Sequence, residues 1–233
     1  MPRGLKEIGL VALAFAAAIT IAGCSSPAAT QRLSLDTPGP AGGGPPPAVA
    51  SAAAAPSLPE RESARARQVA LAAMGQVGKT VSYDPSYVPL SYPGGDVPLA
   101  TGVCSDVVIR AYRAVGVDLQ VEVHKDMLAN FSAYPQKWGL SRPDPSIDQR
   151  RVPNLQTYFK RHGASRAVTK SGADYWPGDV VVWSVNGLPH SGVVSDQVSP
   201  DGTHFMIAHN IGAGAQIEDL LFAYPIAGHY RSF

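Results

Sequence analysis

The chain has 233 residues, 45% hydrophobic and 16% charged, which allows one ordinary folded domain with extensions and excludes a chain disordered throughout. A formal net charge of +1, with no run of Lys and Arg, offers no field to gather nucleic acid or an acidic membrane surface. The two cysteines, Cys24 and Cys104, lie in such different surroundings that a disulfide framework is not expected.

Residues 1–23 have the layout of a secretory signal. Arg3 and Lys6 give a positive start, Leu10 to Ile21 form an uncharged apolar run, and Ile21-Ala22-Gly23-Cys24 closes it. The run is shorter than the ~20 residues that span a bilayer. The closing tetrapeptide resembles the bacterial lipobox. That likeness implies that Cys24 is the lipidation site and the first residue of the mature chain. The protein is then expected to be lipid-anchored in the cell envelope, on the periplasmic face of an outer membrane where there is one. Residues 24–59 are rich in Pro, Gly and Ala and poor in large apolar groups, so they read as a flexible tether.

Residues 60–233 carry the patterns of a folded domain. A helical stripe runs through Val69, Ala70, Ala73 and Val77. Residues 78–103 set Tyr83, Tyr87 and Tyr92 among prolines and glycines, which predicts an ordered loop. Val107, Val108, Ala111 and Tyr112 predict a helix from Cys104 to Ala114, with Gly116 as its stop, and another helix is expected from Leu119 to Phe131. A polar, proline-bearing loop covers residues 135–153. Asn154 then opens a short helix with Leu155, Tyr158 and Phe159 on one face and Gly163 at its end. Beyond this the period changes. Asp179 to Trp183 reads as a strand buried on both faces, and Asn186-Gly187 as a hairpin turn. Further strands are expected at His190–Ser195, Phe205–His209 and Ala223–Tyr230. Helices first and an antiparallel meander after them make an α+β layout.

Cys104 follows Gly102-Val103 at a predicted helix start, where unpaired N–H groups and a partial positive charge favour a thiolate and can receive an oxyanion. A buried structural cysteine is the alternative. His190 opens an apolar strand and His209 ends the next one, so the two can lie side by side with His209 orienting the His190 ring. Cys104, His190, His209 and His229 are legal zinc ligands, but no tight metal spacing is present, so no metal and no cofactor are expected. Arg142, Arg150 and Arg151 can either clamp a substrate carboxylate or form a charged loop.

Cys104-Ser105, Pro177-Gly178-Asp179-Val180-Val181, His190-Ser191-Gly192-Val193-Val194 and Ile207-Ala208-His209 together resemble the NlpC-type papain-like peptidases of bacterial cell walls. Tyr83-Asp84-Pro85, Tyr92-Pro93-Gly94-Gly95-Asp96, Arg151-Val152-Pro153-Asn154-Leu155 and His209-Asn210-Ile211-Gly212 resemble, more closely, the domain-of-unknown-function family numbered 1287. The first likeness implies N-terminal helices packed on an antiparallel sheet, with Cys104 as nucleophile, His190 as base and His209 as the orienting residue. It also implies a substrate-lining role for Tyr83, Ser105 and Asp106. The partner would be peptidoglycan or another envelope peptide, cleaved at an amide. The alternative is an inactive module of the same fold that binds wall glycopeptide as an anchored adaptor. Val103 stands where the wall peptidases carry an amine-reading Asp.

Overall fold

The computed structural model describes residues 63–233. The expected signal, the expected lipidation site Cys24 and the expected tether lie outside the described residues.

Helix α1, Ser63–Met74, buries Val69, Ala70 and Ala73 along one face. A long loop follows, pinned where β1, Ser82–Tyr83, pairs in parallel with β2, Thr101–Gly102. Helix α2, Cys104–Arg113, begins directly after β2. Helix α3, Leu119–Asn130, is capped by the Asp118 side chain, which accepts the Gln120 N–H. A short 3-10 turn, Asp148–Arg150, leads into α4, Val152–Arg161. Pro153 sits in the first turn of α4, where its missing N–H costs nothing, and Gly163 stops the helix at φ 71°.

The second half is an antiparallel sheet of β3 Val180–Val185, β4 Leu188–Val198, β5 Phe205–Asn210, β6 Ala215–Glu218 and β7 Ile226–Tyr230. Their order is β6-β5-β4-β3-β7. Asn186 and Gly187 join β3 to β4 with φ 50° and 81°, both in the left-handed region that a two-residue hairpin turn requires. Several boundaries differ from expectation: α4 starts at Val152 rather than Asn154, and β4 starts at Leu188, so His190 does not open its strand. The last strand starts at Ile226 rather than Ala223, and β6 was not anticipated, because four residues beside Gly212 and Gly214 carry too short an alternation to stand out.

Side chains alternate across the sheet, so it has two buried faces. Val180, Val182, Val193 and Ala208 pack against the helices. Val181, Trp183, Val194 and Ile207 pack on the other side with Tyr175 and Leu221. This is why the β3 sequence is continuously apolar. At its entrance, a Cβ on Gly178 would meet the Ala66 carbonyl at 2.2 Å, so only glycine lets α1 approach so closely. Next to it, Asp179 accepts from the Trp176 N–H at 2.9 Å, from His229 Nε2 at 2.7 Å and from Arg231 Nε and Nη2, each at 2.7 Å. One buried carboxylate thus fastens the start of β3 to the end of β7. Among the described residues, no helix is long and apolar enough to cross a membrane.

Candidate active site

The start of α2 is held from three directions. Val103, in extended conformation, donates its N–H to Asp106 Oδ2 at 2.7 Å. Asp106 in turn accepts from Arg150 Nε at 2.9 Å and Nη2 at 3.0 Å, a two-pronged buried ion pair. The remaining Arg150 donors reach the carbonyls of Ser86 and Asp84 at 3.2 and 3.3 Å, and Ser105 Oγ donates to the Arg150 carbonyl. The expectation from sequence that Ser105 and Asp106 line the substrate space is not met, since neither lines the cleft at Cys104. Both are buried and spent on fixing the helix against the turn before α4.

Cys104 is the first residue of α2 and is 4% exposed. Its sulfur lies against Ser191 on β4. The reason is visible in the ladder. Val194 N–H donates to Asp179 O in the direction of β3, so by the two-residue period Ser191 directs its N–H the opposite way, toward β5. Pairing with β5 begins only at Gly192↔His209, which leaves the Ser191 edge open. The thiol takes that edge. The Ser191 N–H and hydroxyl, together with the Ser105 N–H, favour the ionised sulfur. Ser191 Oγ is buried and has no oxygen or nitrogen partner among the described residues. Burial nevertheless outweighs these groups and pushes the Cys104 thiol above its ordinary value. This reverses the expectation of a thiol lowered by the helix start, because sequence shows the position in the helix but not the depth of burial.

His190 and His209 are brought together. His190 Nε2 lies 3.0 Å from His209 Nδ1, and His209 Nε2 lies 2.7 Å from Glu218 Oε2 on β6. The carboxylate sets the tautomers in series. Glu218 accepts only, so His209 carries its proton on Nε2 and accepts at Nδ1. His190 must then donate from Nε2, and its lone pair is left on Nδ1. That nitrogen has no hydrogen bond among the described residues. Both rings turn to the sheet face opposite Ser191, with His190 beside Trp183 at 6.0 Å between centroids. Ser191 and His190 are consecutive, but they face opposite sides of the sheet, and His190 is not among the residues lining the cleft around the sulfur. Burial and the neighbouring His209 lower His190 to about 3, while burial lowers His209 against the pull of Glu218. At rest the thiol and the His190 ring are both neutral.

Glu218 and Ser191 are the members that sequence reading missed. The only signal for Glu218 was the alternation of Gln216 and Glu218 behind a glycine-rich turn. Around the sulfur opens a cleft of about 240 Å³ lined by Tyr83, Trp138, Ile147, Arg151, Val152 and Pro189, among others. Tyr83 is thus part of the cleft wall. Its hydroxyl is raised by burial and by Cys104. Among the described residues, no group of three His, Cys, Asp or Glu is arranged to hold a metal.

Residues 70–232 match the family model described as Domain of unknown function (DUF1287). The chain is 59% identical over 166 residues to the "Uncharacterized protein YijF" of Escherichia coli strain K12, which covers 71% of this chain and 80% of that one. Among solved structures, NlpC1 from Trichomonas vaginalis aligns with a TM-score of 0.38 and 13% identity. The alignment covers 71% of this chain, which spans 43% of that chain's length.

Proposed function

The chain belongs to the DUF1287 family, and on that premise we propose that it is a cysteine hydrolase that cleaves a peptide amide of the bacterial envelope, with Cys104 as nucleophile. One observation carries the reading. Cys104 opens α2 with its sulfur against Ser191, and the Glu218–His209–His190 series beside it in sequence leaves the Nδ1 lone pair of His190 unengaged.

The sulfur is a thiol at rest, so its proton leaves during attack. The proposed acceptor is His190 Nδ1, whose ring must leave the sheet face it occupies at rest to take the proton as the sulfur adds to the amide carbonyl. The oxyanion forms against the N–H groups of the first turn of α2. As Nδ1 gains a proton, the Nε2 proton passes to His209 Nδ1, and the cation comes to rest beside the Glu218 carboxylate. Collapse of the intermediate expels the amine, which takes a proton back from the histidine pair. Water, deprotonated by His190, then cleaves the thioester and restores the thiol. No cofactor is required. The lipobox-like Cys24 and the tether support an envelope location, and amides are the abundant acyl bonds there.

Burial of the thiol favours a second reading, an anchored adaptor of the same fold that binds wall glycopeptide without turnover. One experiment separates the two. The full chain and Cys104→Ala are incubated with purified sacculi and with an ester lipid, and products are identified by mass spectrometry. New peptide fragments with wild type, reduced by at least about 10³-fold in Cys104→Ala, support the hydrolase. Retention on sacculi by both proteins without fragments supports the adaptor. Turnover of the lipid ester alone overturns both.

A further inference from the structure

We infer that Arg151 selects the substrate, and that the substrate carries a carboxylate close to the amide that is cleaved. The inference rests on the hydrolase reading and names its substrate class.

Two arginines line the Cys104 cleft, and they are differently occupied. Arg150 is consumed by Asp106 and by the carbonyls of Ser86 and Asp84. The Arg151 guanidinium makes no hydrogen bond among the described residues. Its nearest acid, Asp148 Oδ1, stands off at 3.6 Å. Burial raises that carboxyl to about 6, so it is charged at neutral pH, and Asp144 acts on Arg151 as well, but neither makes a hydrogen bond to the guanidinium. Instead the guanidinium carbon sits over the Trp138 ring, 4.2 Å from its centroid, with the side chain 17% exposed. Contact with the ring steadies the fork and leaves its N–H groups free, the donor set that accepts a planar carboxylate by two parallel bonds.

Asp148 and Asp144 lie behind Arg151, whereas the cleft side is positive. The first turns of α2 and α4 meet at this cleft through Cys104 and Val152, and both present the positive end of a helix. No carboxylate lines it. The rest of the wall is Ile147, Val152, Pro153 and Pro189, which excludes water around an ion pair and admits an apolar stem beside it. One cation over one aromatic ring in a small apolar cleft fits a single carboxylate on a peptide better than a polyanion.

The test needs no known substrate. Iodoacetate and iodoacetamide differ only in carrying a carboxylate or an amide, and both alkylate thiols. Their rates at Cys104 are measured in the full chain at pH 9 by mass spectrometry of the Cys104 peptide, and the acetate-to-amide ratio is divided by that of glutathione. A normalised ratio of at least about 10 is expected, with saturation by iodoacetate. In Arg151→Met the ratio falls to about 1 while the iodoacetamide rate changes by less than about 2-fold; Arg151→Lys retains part of it. Raising ionic strength lowers the wild-type preference without any substitution. A ratio near 1 in wild type, or one that Arg151→Met leaves intact, overturns the carboxylate inference alone. If neither reagent reaches Cys104, the hydrolase reading falls, and this inference with it.

Discussion

Two buried histidines on one sheet, His190 and His229, each belong to a hydrogen-bonded series that includes a carboxylate, and they differ in what is left over. His229 has both ring nitrogens engaged, Nε2 with Asp179 at 2.7 Å and Nδ1 with the Ala167 carbonyl at 3.1 Å. Asp179 is further saturated by Arg231 and the Trp176 N–H, and Tyr175 stacks on the ring at 4.3 Å. Every donor and acceptor there is used, so the cluster can fasten but not react. The His190 series ends at Glu218, which is 44% exposed on its side chain, and begins at a nitrogen with no partner. Closure makes a fastening, whereas one unclaimed lone pair makes a candidate base. Burial alone does not tell the two apart.

The contrast can be broken at three points. The largest effect is expected at the closed cluster. Asp179→Ala leaves Arg231 without its counter-charge and His229 without a hydrogen-bond partner in a buried place, a loss of about 3–5 kcal/mol, or roughly 10 °C in Tm for a domain of this size. Calorimetry checks it, and a Tm within 2 °C of wild type would remove the fastening role.

Next is the pH response of the open series. The folded protein holds His190 at about 3, below the unfolded imidazole, so the unfolded chain binds the extra proton. Stability is therefore complete above about pH 6.5 and lost as pH falls toward 3, by roughly 3 kcal/mol at pH 4 at about 1.4 kcal/mol per unit. Urea titrations from pH 7 to 4 should show this acid limb flattened in His190→Gln. An unchanged limb would mean that another group carries it.

The smallest effect is at Glu218. Glu218→Gln can still accept from His209 Nε2, so the tautomers survive and only the charge is lost. Turnover should fall about 10-fold, equivalent to about 1.4 kcal/mol, with stability within about 0.5 kcal/mol of wild type. A stability loss as large as that of Asp179→Ala would place both clusters in one class.

Much of the scaffold was legible in the residues. The stripe from Val107 to Tyr112 with Gly116 behind it marks α2, and Asn186-Gly187 marks the central hairpin, because both are local signals. The faces of β4 were not. Apolar residues lie on both sides of Val193 and Val194, so nothing local says that Ser191 turns to the helices and His190 away from them. Glu218 was hidden for a related reason, since its strand is only four residues long. The commitment of Asp106 was hidden too: a carboxylate two residues after a nucleophile looks available until Arg150, 44 residues away, is seen to occupy it.

Arg150 has a consequence in time as well as in space. Its guanidinium joins Asp106, Ser86 and Asp84 across separations of 44, 64 and 66 residues, and its carbonyl receives Ser105. Such distant pairings form late, because each closes a long loop. A chain still emerging from the ribosome or a secretion channel has no clamp on the start of α2 until Arg150 arrives, and no β4 edge for the sulfur until Ser191 follows. The setting of Cys104 is thereby completed only when most of the domain is present, an order of assembly written into residue order.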